Sequence, residues 1–512
     1  MGSVLDYTPT PLNEEFEKLV YETQSFWKIP GISVAVVDGA TTWTEGYGMA
    51  DESSATKVEA NTLFYGGSTT KAFTAAILSI LVEDNDQYPQ IHWDTPVGEL
   101  LRDDFVLDHT WTTANITIED ILSHRTGMPG HNLAFGGEYD GHQATVRDLV
   151  RNLRFLPSTK SPRTTFQYNN VMFIAASHLI ETVLGDGLGS VFAKYIWDPL
   201  EMSSTYLSLH DALASQKPLA KGYTFEHDRF EEVPWKDRPE ISGAGAIISN
   251  VGDYAKWVNA LLNQTMKPLS PEGYRAIWSP RTIMPTQKPF LTPLAYDLGW
   301  DRYVYHGVEI ITHDGGIDGF GAEIVLIPEL KYGVITMANS THTSNYGGTC
   351  LAYHLVDNKL NIPVGQRFDW KENFVDLIQQ MNEDNKNALQ RFYPDLPPPP
   401  RPPPTLPLEA YTGTYWNDGY RQLEIFLGSD NNLHANRTDY TTASYLTFEH
   451  VSQDYFLVTV RVVGAEIVAP AEFLIGSDQQ PAEVGIGWEP AMGDKKIWMQ
   501  RVHNYEPPMP DL

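Results

Sequence analysis

Prolines crowd the stretch YPDLPPPPRPPPTLP, Tyr393 to Pro407. Proline fixes its own φ and lacks a backbone donor, so such a run is neither a helix nor an inner strand and reads as an extended, semi-rigid spacer. That feature divides the 512 residues into a large region, 1–392, a linker, 393–407, and a smaller region, 408–512. The division suits a length beyond what one core usually holds. A Pro-rich ligand for another domain is the competing reading, but a folded-looking segment lies on each side. After the spacer, YTGTYWNDGYRQLEIFL and DYFLVTVRVV alternate apolar and polar residues between turn signals. That habit belongs to a small all-β unit.

The large region opens with Leu12, Phe16, Leu19, Val20, Thr23 and Phe26 at helical spacing, and Pro30-Gly31 ends the run. An amphipathic helix follows from it. ISVAVVDGATTWTEGYG then gives two strand-like runs about Gly39, and GAEIVLIPELKYGVITMAN, Gly321 to Asn339, gives another pair. Strands from both ends of a long region with helical patterns between and after them predict an α/β (α+β) fold, an antiparallel sheet flanked by helices.

Composition narrows the function. Lys plus Arg number 36 against 65 Asp plus Glu, and the formal charge of −29 repels phosphate backbones and anionic lipid surfaces. Nucleic acid and membrane are therefore not expected as partners. The single cysteine, Cys350, provides no internal disulfide and reads as a small apolar residue in a reducing compartment. The N-terminus has no basic stretch followed by an apolar one, and Asp6 stands where a myristoylation motif at Gly2 would want Ser or Thr. A cytoplasmic location is expected.

The chemistry centres on FYGGSTTKAFTAAILSIL, Phe64 to Leu81. Three Ser-x-x-Lys patterns occur, and context separates them. Ser25 to Lys28 ends the opening helix, Ser54 to Lys57 lies in a polar loop, and Ser68 to Lys71 follows two glycines and opens an apolar helix. Lys71 is one turn from Ser68 on the same helix face. Burial would lower its pKa and let it accept the hydroxyl proton. Alternatively Ser68 caps the helix and Lys71 snorkels to water. The stretch by itself leaves both open. Tyr168-Asn169-Asn170 and His313-Asp314-Gly315-Gly316 add a phenol, an amide and a glycine pair just before an expected strand. A second Tyr-x-Asn, Tyr415 to Asn417, shows how weak that pattern is alone.

The order Ser-x-x-Lys, Tyr-x-Asn, His-x-Gly resembles the serine β-lactamase and penicillin-binding-protein family, in its branch of class C β-lactamases, D-aminopeptidases, carboxylesterases and acyltransferases. PGISVAVVDG, TIEDILSHRTGMPGH, ISGAGAIISNVGDYAKWV and YDLGW look like segments of the same branch, in its order. The resemblance spans about Leu12 to Leu360, and LEAYTGTYW is similar to the β-barrel extension of some members, which implies a C-terminal lipocalin-like barrel. It implies Ser68 as nucleophile, Lys71 as its proton acceptor or electrostatic partner, and Tyr168 as the base that later protonates the leaving group. Asn170 would hold Lys71 and the substrate amide. The backbone N–H groups of Ser68 and Gly316 would form the oxyanion hole, with His313 and Gly315 beside the substrate.

The implied reaction is acyl transfer through an acyl-Ser68 ester without a cofactor, from a small-molecule or peptide-like ester or amide to water. Transfer to a small-molecule acceptor and a silent binding protein are the alternatives. Where penicillin-directed members commonly carry Lys-Thr-Gly, this chain has His313-Asp314-Gly315. A neutral imidazole offers a substrate carboxylate less than a lysine does, which points to esterase, amidase or D-peptidase chemistry. His124, Asp314 and Asp318 read as structural. Glu226 to Asp228 and Leu209 to Asp211 lack metal-ligand spacing, so no metal is expected. G-x-S-x-G is absent, which argues against an α/β-hydrolase.

Overall fold

Asn13 starts the first helix because its side chain accepts the Phe16 N–H at 3.0 Å, with Glu14, Glu15 and Glu17 in the positive first turn. In the computed structural model, which describes residues 9–139, 141–267, 269–285 and 294–502, this helix, α1, runs Glu14–Trp27 and stops at Lys28 in the left-handed conformation. It buries Phe16, Val20 and Trp27. Phe26, expected on the apolar face, is 45% exposed and lies edge-on to Trp27 with the Lys371 ammonium over its ring. Gly2 and Asp6 lie outside the described residues.

The chain forms two compact units, each assembled from separate stretches. The first takes in residues up to 91, 185–238 and 242–372. Among the described residues its large antiparallel sheet has nine strands, numbered here β1 (Gly31–Asp38), β2 (Thr41–Asp51), β3 (Thr56–Lys57), β4 (Thr282–Ile283), β5 (Ala295–Tyr296), β6 (Asp301–Tyr305), β7 (Val308–Ile317), β8 (Phe320–Ile327) and β9 (Tyr332–Ala338). Their order is β4-β5-β6-β7-β8-β9-β1-β2-β3. The N-terminal β1 therefore pairs with the late β9, Val34 opposite Thr336, as well as with its hairpin partner β2. Gly39, at φ 61°, makes the turn between β1 and β2.

Helices cover both faces of this sheet, which explains why β1 carries Ile32, Val34, Ala35, Val36 and Val37 without exposure. Three helices of this unit bear on the site: α2 (Thr70–Glu83), a helix at Val251–Asn263, and one at Thr343–Lys359. Gly333 of β9 leaves room for Val258 on one face, while Gly348 of the last helix sits against Thr336 and Glu323 on the other.

The second unit comprises residues 92–184, 239–241 and 373 onward. It holds the helix α3 (Asn170–Leu184) and a closed eight-stranded barrel, β10 (Gly413–Asn417), β11 (Arg421–Leu427), β12 (Leu433–Arg437), β13 (Ser444–Ser452), β14 (Tyr455–Val462), β15 (Ala465–Ile475), β16 (Pro481–Ile486) and β17 (Ile497–Val502). Pairing of Thr414 with Val502 closes the ring, so no edge strand is left unpaired. Tyr415, Leu423, Phe448, Val458 and Met499 are buried at alternating positions, as the sequence pattern requires. The proline-rich stretch has neither helix nor strand, but it is no free spacer. Tyr393 Oη donates to the Phe456 carbonyl at 2.8 Å, Gln453 N–H donates to the Pro402 carbonyl at 3.1 Å, and Thr405 Oγ1 donates to Asp454 at 2.7 Å. Among the described residues no single helix is long and apolar enough to cross a membrane.

Candidate active site

Ser68 lies in a single 3₁₀ turn, Gly67–Thr69, that leads directly into α2. Neither helix start has a side-chain cap, so the serine is not consumed as one. The turn is instead pinned by its neighbours. Thr69 Oγ1 donates to the Gly66 carbonyl and shares a hydrogen bond with Tyr254 Oη, both at 2.8 Å. Thr70 Oγ1 donates to the Gly67 carbonyl at 2.8 Å and accepts the Ile247 N–H at 3.2 Å. Each clamp removes a freedom that would otherwise be lost when substrate binds.

Lys71 does not snorkel. Its side chain is fully buried and does not reach water. The ammonium nitrogen lies 2.9 Å from Ser68 Oγ and 2.8 Å from the Ala244 carbonyl. Burial brings its pKa down from 10.5 to about 7, with the Asp314 carboxylate opposing the fall. At neutral pH a large fraction of Lys71 is therefore an amine with a lone pair within hydrogen-bond reach of the hydroxyl, the geometry of a nucleophile and its base.

The His313-Asp314-Gly315-Gly316 motif lies inside β7, not ahead of a strand as its glycines suggest, because pairing to β8 continues through Gly315 opposite Ala322 and Gly316 opposite Gly321. The glycines serve close approach. A Cβ on Gly315 would stand 1.9 Å from the Gly66 carbonyl oxygen, and one on Gly67, where φ is 54°, would stand 2.7 Å from the Gly316 nitrogen. Asn345 Nδ2 ties the strand down from its other face by donating to the Gly315 carbonyl at 2.9 Å.

His313 is buried with both ring nitrogens engaged. The Asp314 carbonyl, 2.6 Å from Nδ1, only accepts, so Nδ1 carries the proton and Nε2 accepts from Tyr296 Oη at 3.0 Å. Burial, reinforced by Lys71, takes its pKa to about 3. The imidazole is neutral and adds no positive charge beside Lys71. Asp318 pairs with Arg238 at 2.6 Å, in keeping with a structural reading of that aspartate.

Tyr168 and Asn170 belong to the second unit. Asn169 accepts the Met172 N–H at 3.2 Å at the start of α3 and donates to the Pro129 carbonyl at 2.6 Å. His124, fully buried, accepts the Asn169 N–H on Nδ1 at 3.1 Å and packs its ring 4.2 Å from that of Tyr168. Its role is to fix the tyrosine, as its place in a tight loop suggests. Asn170 Nδ2 donates to Asn132 Oδ1 at 3.2 Å.

Against these observations the comparisons with known proteins can be set. The Beta-lactamase family model matches residues 22–356. The chain belongs to the Beta-lactamase family. A second model, a domain of unknown function called DUF3471, matches residues 397–501. The chain is 61% identical, over 98% of its length and 93% of the relative's, to "Unguisins hydrolase ungD" of Aspergillus violaceofuscus (strain CBS 115571). It is 58% identical, over 96% and 92%, to "Unguisins hydrolase ungD'" of Aspergillus campestris (strain IBT 28561). The octameric penicillin-binding protein homologue from Pyrococcus abyssi shares the fold with TM-score 0.60 and 20% identity, covering 95% of this chain and 99% of that one. This member of the Beta-lactamase family is an enzyme, a serine hydrolase of amide or ester bonds.

Several supporting residues escape sequence reasoning. Tyr254, Tyr296 and Asn345 lie in ordinary-looking strand and helix contexts, and Ala244 acts only through its carbonyl. A signal did exist for Ala244, since the small-residue run GAGA marks close backbone approach. Among the described residues Glu226, His227 and Glu231 bring possible ligand atoms within 4.8 Å of one another near the turn of the Gly222–Val233 hairpin.

Proposed function

We propose that the chain hydrolyses an amide or ester through a covalent acyl-Ser68 intermediate, with compounds of the unguisin class as its substrates. The observation that carries the reading is the buried Lys71 amine 2.9 Å from Ser68 Oγ, with a pKa lowered to about 7. In the acylation step Ser68 Oγ bonds to the substrate carbonyl carbon and passes its proton to Lys71. The backbone N–H groups of Ser68 and Gly316 hold the oxyanion. The proton then goes to the leaving amine or alcohol through Tyr168, the role the family resemblance gives it. Water attacks the acyl-Ser68 ester, its proton returns to Ser68, and the products are an acid and an amine or alcohol.

Neutral His313 leaves the site without the fixed cation of a Lys-Thr-Gly motif, which disfavours substrates recognised by a carboxylate at that point. The substrate class rests on the printed names of the two Aspergillus relatives. Incubating the purified chain with unguisins and following masses is the test. Products whose masses together equal the substrate plus one water, absent with Ser68→Ala, are expected. Unchanged unguisins in the presence of an enzyme that turns over p-nitrophenyl acetate would remove the substrate class while leaving the hydrolase.

A further inference from the structure

We propose that Tyr420, in the barrel turn between β10 and β11, is a positioning residue for the amide side chain of Asn170, acting through His131 and Asn132. The inference rests on the assignment of Asn170 to the substrate-amide side of the acyl-transfer site. Every residue in the chain of contacts lies within the second unit.

His131 adopts φ 47°, a backbone conformation a histidine rarely holds unless its surroundings impose it. Three contacts impose it. Its N–H donates to Glu489 Oε2 at 2.9 Å, its Nε2 lies 3.0 Å from the Pro157 carbonyl, and its Nδ1 lies 2.8 Å from Tyr420 Oη. Two of these partners, Glu489 and Tyr420, come from the turns of the barrel. The carbonyl of Pro157 can only accept, so Nε2 bears the proton, Nδ1 is the acceptor and the Tyr420 hydroxyl donates. The ring is 1% exposed, and its burial keeps it neutral by lowering its pKa.

The next residue transmits the constraint. Asn132 is exposed at its side chain, yet its Oδ1 receives the Asn170 Nδ2 donor. Met128 and Pro129, on the other side of His131, receive Asn169 Nδ2 at 3.4 and 2.6 Å. The segment 128–132 is thus held by the Tyr-x-Asn motif at one side and by the barrel at the other. A further contact pairs Gly136 with Tyr440. Without the Tyr420 hydroxyl, Nδ1 loses its donor and the left-handed turn that aims Asn132 loses one of three restraints. The amide of Asn170 then gains rotamer freedom at the point where it should meet a substrate amide.

The test compares two esters that differ by one amide, p-nitrophenyl acetate and the p-nitrophenyl ester of N-acetylglycine, on wild type, Tyr420→Phe, Asn132→Ala and the double variant. Labelling of Ser68 by a fluorophosphonate checks the site itself in each. The expected result is unimpaired labelling, p-nitrophenyl acetate turnover within about twofold, and a KM for the N-acetylglycine ester raised about tenfold in either single variant. The double variant should be no worse than Asn132→Ala alone, because both remove the same restraint. Equal losses on both esters, or single effects that multiply in the double variant, would overturn the proposal. Asn132→Ala removes an exposed side chain and so decides the matter even if Tyr420→Phe does not fold, since a wild-type KM in that variant rejects the pathway. Failure of all forms, wild type included, to label would instead reject the acyl-Ser68 reading.

Discussion

Ser68 and Lys71 show how three residues of spacing become chemistry only when the fold denies the lysine its water. A surface lysine at the same spacing would keep its charge and serve as a solvated end. Buried against the Ala244 carbonyl, Lys71 instead titrates at about 7 rather than 10.5. Between these two pH values the unfolded chain binds a proton that the folded chain lacks, so this group makes stability rise with pH there and leaves it flat below about 7. The urea-unfolding free energy of wild type minus that of Lys71→Met should therefore increase by about 1.4 kcal/mol per pH unit from pH 7.5 to 9.5. A flat difference would mean that Lys71 remains charged in the fold. At this scale the glycines before Ser68 and the apolar helix after Lys71 single out the stretch but leave burial and snorkelling both open, and the burial of Lys71 is seen only in the fold. The segments holding Tyr296 and Ala244 were legible only as family-like stretches, and not their contacts, since a phenol and a carbonyl acquire their meaning from partners distant along the chain.

The elements show where glycine periodicity was informative and where it misled. The pair Gly315-Gly316 suggests a loop when read locally. In the fold it is a strand interior that abuts the turn carrying Ser68, and missing side chains permit that approach. Gly315→Ala should accordingly cost more than about 2 kcal/mol in thermal unfolding and reduce p-nitrophenyl acetate turnover about a hundredfold, because strand or turn must move. Gly365→Ala, where a Cβ meets nothing within 4 Å, should change neither. Similar behaviour of the two variants would show that close approach does not position the nucleophile. The hairpins β1-β2 and β8-β9 were readable from strand-like runs about turn residues, and the helix α1 from helical spacing ended by Pro30-Gly31. The pairing of β1 with β9 was only implied by strands at both ends of a region, since nothing local encodes a partner some three hundred residues away.

At the scale of the whole molecule, the alternation after the proline-rich stretch is that of a β-barrel, yet contact relationships do not follow the chain's linear order. The barrel belongs to the same compact unit as residues 92–184, and its Tyr420 and Glu489 reach His131 across 289 and 358 positions of sequence. Alternating residues signal a sheet with an inside and an outside, but they say nothing about which loop a turn will hold. The net charge of −29 likewise bounds the partners without naming a substrate. The proposed reaction depends on one covalent event at Ser68, made possible by a lysine that loses its charge near pH 7. The most direct measurement is the rate of fluorophosphonate labelling, followed by intact mass on wild type and Ser68→Ala between pH 5.5 and 9. The prediction is one adduct on wild type, none on Ser68→Ala, and a rate that rises through about pH 7 to a plateau as Lys71 deprotonates. An adduct that survives Ser68→Ala, or a labelling rate indifferent to pH across that range, would contradict it.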